Sequence, residues 1–256
     1  MEITVAGWIN LLFFFTFLLL ALARRNAPAI LLGITGIALT CIMIALRQSF
    51  LNHWVPALLM PFAYWQSGRF FQKPNEKMQS FLAGFDQKIL GSQKRTPVRS
   101  INLFLEISYL FCYPLVPLGV GVLYFYGLQD YVEMFWLAVL PPTYFCYAMV
   151  PFSQSLPPWR LEKQNEPEAP RGRVKEANMW ILRRLSTQAN TFPSAHVTAS
   201  LAAALALLSL LPVWGSIFLI VSVGIAIGAV VGRYHYIMDI LTAILITIAG
   251  FALTHS

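Results

Sequence analysis

Charge is scarce in this chain of 256 residues: Asp, Glu, Lys and Arg make up 11% of it, hydrophobic residues 57%, and the mean hydropathy is +0.63. A soluble domain carries about a quarter charged residues, so this composition excludes one and predicts a multi-spanning membrane protein whose main solvent is lipid. Cysteine is scarce too. Cys41, Cys112 and Cys146 all lie in apolar runs with neither CxxC nor Cys/His spacing, which excludes a disulfide framework and a zinc site and reads as three small buried hydrophobes. No carboxylate cluster suited to Mg²⁺ is present, and there is no internal repeat or low-complexity tract. The leading stretch "MEITVAGWINLLFFFTFLLLALARR" lacks a basic start and a small-residue cleavage site, so a retained first span is expected rather than a signal peptide.

What is there is apolar runs of spanning length. Crossing the hydrocarbon takes about 20 apolar residues as a helix, and such runs occur at 3–23, 28–46, 101–126, 130–150, 194–212, 214–232 and 236–254, with a shorter one at 51–65. The expected fold is an all-α polytopic helical bundle of about eight spans, seven being the alternative. The breaks "ARRNAP", "YGLQD" and "LLPVWGS" are short polar or Gly/Pro turns, which make successive helices antiparallel neighbours.

Two polar segments interrupt the spans. In 66–100, Met78, Phe81, Leu82, Phe85 and Ile89 follow helical spacing with charges opposite, the pattern of a helix lying in the membrane interface; a soluble-facing structural helix is the alternative. The segment 152–191 is rich in Pro, Arg and Lys and leads into "TFPSAHVTASLAAALALLSLL". With eight spans, all eighteen Lys and Arg except Arg47 fall on one face. By the positive-inside rule that face is cytoplasmic, although cations selected to hold an anionic substrate would report the site instead.

Ionisable residues inside membrane-grade sequence are expensive and mark function, and Arg233, His235 and Asp239 sit together in "AIGAVVGRYHYIMDILTAIL". His235 and Asp239 are i and i+4, neighbours on one helical face. A carboxylate there fixes the imidazole tautomer and leaves the other nitrogen as nucleophile or base. In "TFPSAH", Pro193 is a good first-turn residue, which puts His196 in the first turn of a helix where free N–H groups favour an anion. Thirty-eight residues separate His196 from His235, close to two crossings of about 20 residues each, so both histidines are expected at the same surface. Arg233, a planar fork of donors, suits phosphate oxygens. Taken singly, each has a plainer reading: a packed interfacial histidine, a snorkelling arginine, a structural Arg233–Asp239 pair. His53 and His255 have no such company and are assigned no chemistry.

"PSAH" followed by "HYIMD" resembles the second and third signatures of the type 2 phosphatidic acid phosphatase superfamily, the integral-membrane lipid phosphate phosphatases and their phosphotransferase relatives. The resemblance covers roughly 150–240, and the six spans from 51 onward are consistent with that family's bundle. Ala195 stands where the second signature usually has glycine. His235 and Asp239 match the third, but its Ser-Arg positions hold Gly228 and Ala229, and Arg233 stands four residues later. A similar rearrangement marks the branch related to inositol phosphorylceramide synthases. The first signature is not present as such; Arg160 in "LPPWRLEK" is the best replacement, and Lys163 with "PR" at 170–171 a poorer one.

The resemblance implies that His235 attacks phosphorus to form a phosphohistidine, that Asp239 orients it and that His196 protonates the leaving oxygen. Arg160, Arg233, Ser194, the N–H of Ala195 and Lys163 would hold the phosphoryl oxygens. It implies metal-independent hydrolysis of a lipid phosphomonoester, with no cofactor. The alternatives are a lipid phosphotransferase or phospho-headgroup transferase using the same site, and a non-catalytic membrane transporter or scaffold. The substrate would be a phospholipid or an isoprenoid or sphingoid phosphate met at the bilayer, and no nucleic-acid partner is expected. The organisation implied is N-terminal membrane helices over 1–65, an amphipathic interfacial segment over 66–100, and a catalytic core of the five or six C-terminal spans over 101–256, in a plasma or inner membrane if the source is bacterial. Glu106 with Tyr109, Tyr113, Tyr144 and Tyr147 would line the lipid entrance, or else Glu106 lies at the interface beside Arg99 and the tyrosines form an aromatic belt.

Overall fold

The computed structural model describes residues 3–46, 50–91, 98–162 and 172–255. It is 81% helix with no strand among those residues, a bundle of passes that reverse at two ends. Helix α1 (Val5–Ala23) starts where Thr4 Oγ1 accepts the Gly7 N–H, and α2 (Ala27–Ala45) where Asn26 Oδ1 accepts that of Ala29. Helix α3 (Val55–Gly68) returns along α2, and Asn26 Nδ2 donates to Arg69 O at 2.9 Å, tying the α1–α2 turn to the end of α3. There follow α4 (Glu76–Leu90), α5 (Arg99–Leu110), α6 (Leu115–Phe125) and α7 (Val132–Ala148), then two short helices, α8 (Val150–Ser153) and α9 (Pro158–Glu162). Helix α10 (Arg173–Leu185) precedes the last three, α11 (Ala195–Leu210), α12 (Pro212–Val231) and α13 (Ile237–His255).

Five helices are long and apolar enough to cross a membrane, or six if the bent pair α5 and α6 counts as one span. Outward side chains such as Leu12, Leu31, Ile220 and Leu245 are apolar and exposed on α1, α2, α12 and α13, which suits lipid and not water. The expected continuous span 101–126 is instead broken, α5 and α6 meeting at 75°. Pro114 is the reason: it has no N–H to donate, and its ring disfavours helical backbone at Tyr113 before it. The runs at 51–65 and 194–212 give only 14 and 16 helical residues, in α3 and α11, shorter than the usual crossing length. Of the cysteines, Cys112 and Cys146 are buried but Cys41 is exposed on α2, contrary to expectation.

Helix α11 is the axis of the bundle, in contact with α6, α7, α12 and α13. Ala199, Ala202, Ala203, Ala204 and Ala206 are all buried along it; small side chains let neighbouring helices approach closely. Helix α12 lies equally close to α5. A Cβ on Gly224 would fall 2.4 Å from Ser108 Oγ, and one on Gly228 2.7 Å from the Leu105 carbonyl oxygen. Ala229, the next residue, has no exposed surface at all. These two positions are where the third signature usually has Ser-Arg, and the contact of Gly228 with α5 and the full burial of Ala229 leave no room for either side chain.

Candidate active site

At one end of the bundle the chain from Gly232 to Tyr236 turns from α12 into α13. The peptide N–H groups of Tyr234 and His235 both donate to Ala229 O, at 2.8 and 3.0 Å. Arg233 adopts a left-handed backbone with φ 62°, a conformation that costs a non-glycine residue about 1–2 kcal/mol. Glycine is the common choice just past a helix end; an arginine here places a guanidinium in the turn at that cost.

His235 lies in this turn, before α13 begins, and Asp239 lies in the first turn of α13. Their closeness therefore comes not from one helical face but from the way α13 starts. Asp239 Oδ2 accepts the Tyr236 N–H at 2.9 Å, reaching back as in a capping box, and the same oxygen lies 3.0 Å from His235 Nδ1. A carboxylate only accepts, so Nδ1 carries the proton and Nε2 keeps its lone pair. Nε2 is 3.4 Å from His196 Nδ1. His235 and Asp239 are buried.

His196 is the second residue of α11, with Ser194 at the N-cap. Pro193 stands ahead of the cap rather than in the first turn as expected, in a cis peptide with Phe192. The Ser194 N–H donates to Asp239 O at 3.0 Å, which ties the "PSAH" and "HYIMD" segments together. The Ser194 hydroxyl is buried and makes no hydrogen bond among the described residues, and the first N–H groups of α11, Ala195 included, have no partner within the helix. Tyr109, in the last turn of α5, and Tyr113, within the α5–α6 break, set ring centroids 5.8 and 5.7 Å from that of His196. The break that the sequence hid thus shapes the wall beside this histidine.

Of the expected cations, Arg233 donates from Nη1 to Asp86 Oδ2 at 2.7 Å. Arg160, on α9, donates to Gln188 O at 3.3 Å, while the neighbouring Trp159 N–H donates to Arg233 O at 2.9 Å and brings α9 against the turn. Lys163 lies outside the described residues, as do Arg47, Lys94, Arg95 and Arg171.

Two carboxylates that the signatures do not mention hold the turn. Asp86 on α4 also accepts the Ile237 N–H, on Oδ1 at 2.9 Å. Glu106 on α5 accepts from Lys175 Nζ at 3.1 Å, Asn178 Nδ2 at 2.9 Å and the Tyr234 hydroxyl at 2.6 Å. Burial and the Glu106 charge push the Tyr234 hydroxyl far above its ordinary range, so it stays a donor. Lys175 also donates to Gly232 O at 3.0 Å. Glu106 is therefore a buried support, rather than part of an entrance lining or an interfacial residue beside Arg99. Tyr144 is buried too, its hydroxyl bonded to Asn10 Oδ1, so it belongs to neither an entrance nor an outer belt, while the half-buried Tyr147 ring packs against Tyr64. The cue missed was a lone Lys and a lone Asn on α10, a helix whose polar side chains Lys175 and Asn178 face inward.

This is a helical membrane protein in which a buried histidine and buried carboxylates meet half-buried guanidinium groups at one end of the bundle. The chain belongs to the PAP2 superfamily, whose family model matches residues 83–253. The match begins inside α4 and takes in every turn of the site. Membership indicates phosphatase-type phosphoester hydrolysis on a phosphorylated, lipid-type substrate in a membrane setting. The search of curated proteins and the search of solved structures each gave no match.

Proposed function

We propose that this protein hydrolyses a lipid phosphomonoester through a phosphohistidine formed on His235. The observation that carries the reading is the chain of contacts from Asp239 Oδ2 to His235 Nδ1 at 3.0 Å and from His235 Nε2 to His196 Nδ1 at 3.4 Å. Asp239 holds the His235 ring with Nε2 as the free nucleophile, and Nε2 attacks phosphorus in line with the departing oxygen. His196 delivers a proton to that oxygen, and then, as a base, activates the water that releases phosphate from His235. Ser194, the Ala195 N–H, Arg233 and Arg160 stabilise the charge that builds on the phosphoryl oxygens; Lys163 is a further candidate for that role. The residues of the site supply both nucleophile and acid, and the reading needs no metal. Among the described residues no three His, Cys, Asp or Glu side chains group as a metal site.

The organisation that fits is a catalytic core over 101–256, N-terminal helices over 1–65 beside it, and 66–100 along the membrane interface. Helices α3 and α11 complete eight crossings as the two short ones, and the site faces the cytoplasm, where the positive-inside rule puts its cations. Helix α4 favours the interfacial placement: Gln79, Leu82 and Asp86 face the protein while Phe81, Ile89 and Leu90 are exposed, an apolar outer edge that suits the bilayer surface.

The test is phosphate release from a panel of lipid phosphates by the purified protein, with acid-labile labelling of the protein by ³²P-substrate. Turnover without label on the parent, or label retained on His235→Ala, would reject the intermediate. Single cysteines at Gly91 and Gly172, in a background lacking the native three, report the side. Labelling of both by an impermeant thiol reagent on intact cells would place the site outside.

A further inference from the structure

Asp86 is buried although it sits on a helix whose other charged residues face out. One of its oxygens is fixed by a backbone donor, Ile237 N–H at 2.9 Å, so its place does not depend on Arg233. The other takes the Arg233 guanidinium at 2.7 Å. The two attachments straddle His235, two residues before Ile237 and two after Arg233. Arg233 in turn holds a left-handed backbone, a cost that the surrounding contacts must offset. The Gln79 side chain, two turns back on the same face of α4, donates from Nε2 to the Tyr236 hydroxyl at 2.5 Å and accepts the Leu156 N–H on Oε1 at 2.8 Å. Helix α4 is thereby registered against the turn and cannot slide.

We propose that Asp86 is a positioning residue that occupies Arg233 in the resting site and competes with the phosphoryl group for it. This rests on the phosphatase reading above. Before substrate arrives, the carboxylate keeps the guanidinium aimed across the turn. When a phosphate enters, its oxygens compete with the Asp86 carboxylate for the guanidinium, and the fixed negative charge of Asp86 repels the dianion left after hydrolysis. Asp86 thus trades tight phosphate binding for release of the product.

The test uses the full chain in detergent and reads binding without turnover, through the rise in melting temperature on titration with inorganic phosphate. Asp86→Asn keeps an acceptor for the Ile237 N–H and loses the charge; it should bind inorganic phosphate on the order of tenfold tighter than the parent. Its kcat should fall as phosphate release slows, with inhibition by added phosphate strengthened to match. Asp86→Glu should return both towards the parent, and Arg233→Gln should abolish the phosphate response in either background. Unchanged or weaker phosphate binding in Asp86→Asn would overturn the proposal, as would a parent whose response to phosphate survives Arg233→Gln. If Asp86→Asn does not elute as folded protein, Asp86→Ser takes its place, and failure of both means a structural role and refutes the competition. A parent that hydrolyses no lipid phosphate yet binds phosphate through Arg233, more tightly in Asp86→Asn, would reject the phosphatase reading and leave the competition standing.

Discussion

The two ends of the bundle are built from similar side chains and differ in charge. At the far end, His53 Nδ1 meets the Tyr124 hydroxyl at 2.7 Å, Trp214 Nε1 donates to Tyr126 at 2.9 Å, and Trp136 Nε1 donates to His53 O. Each is a pair that satisfies one polar tip of a ring, as aromatic groups at a membrane boundary do. At the site end, His235 and His196 meet each other and a carboxylate, with Asp86 and Glu106 buried alongside. A histidine with a phenol for company is a packing residue; a histidine with a buried acid on one nitrogen and a second imidazole on the other is equipped for proton and phosphoryl transfer. What separates the ends is therefore the buried carboxylates, since both ends have histidines.

That contrast can be broken at graded cost. His235→Ala should abolish release of phosphate from a lipid phosphate, measured by colorimetric phosphate assay; turnover equal to the parent would remove the difference between the ends. Asp239→Asn should lower kcat by about 10³–10⁴-fold, the scale seen when an orienting carboxylate elsewhere becomes an amide and the tautomer is lost. His196→Ala should lower it by about 10²–10⁴-fold for an alkyl phosphate and by much less for a substrate with a good leaving group such as p-nitrophenol; an equal loss on both would deny His196 its acid role. Gly228→Ser, which restores the commoner signature residue, should destabilise the bundle by roughly 1–3 kcal/mol through overpacking on Leu105, seen as a lower melting temperature in detergent. At the far end, His53→Phe should leave kcat within a factor of about two and cost about 1 kcal/mol of stability, one hydrogen bond.

The passes and the signature residues were legible because each rests on local sequence. Apolar runs mark α1, α2, α12 and α13 to within a few residues, and thirty-eight residues between two histidines sufficed to bring them to one end. What stayed hidden depends on pairing between distant segments. Asp86 stands four residues after Leu82, on the inner face of α4, but its partners come from the turn at 233–237, far along the chain. Glu106 was visible as an isolated acid in an apolar run, but its partners Lys175 and Asn178 come from a segment read only as basic and Pro-rich. The i, i+4 spacing of His235 and Asp239 led to the right neighbours through the wrong geometry, because a capping box and a helical face bring the same two residues together. The displaced arginine made sense only once α5 was seen pressed against Gly224 and Gly228.

The turn from Gly232 to Tyr236 has fastenings to α4, α5, α9 and α10 as well as to the helices it joins. Such a segment has no low-energy opening of its own, since freeing it means detaching four separate parts of the chain at once. In hydrogen-exchange terms it belongs to the same cooperative unit as the bundle's core. The amides of Ser194, Tyr234, His235 and Ile237, held by Asp239, Ala229 and Asp86, should exchange together and as slowly as those of α11. The slowest-opening loop in the molecule is then the one that carries its chemistry, and shape changes during the reaction fall to the substrate and to the exposed flank of α4.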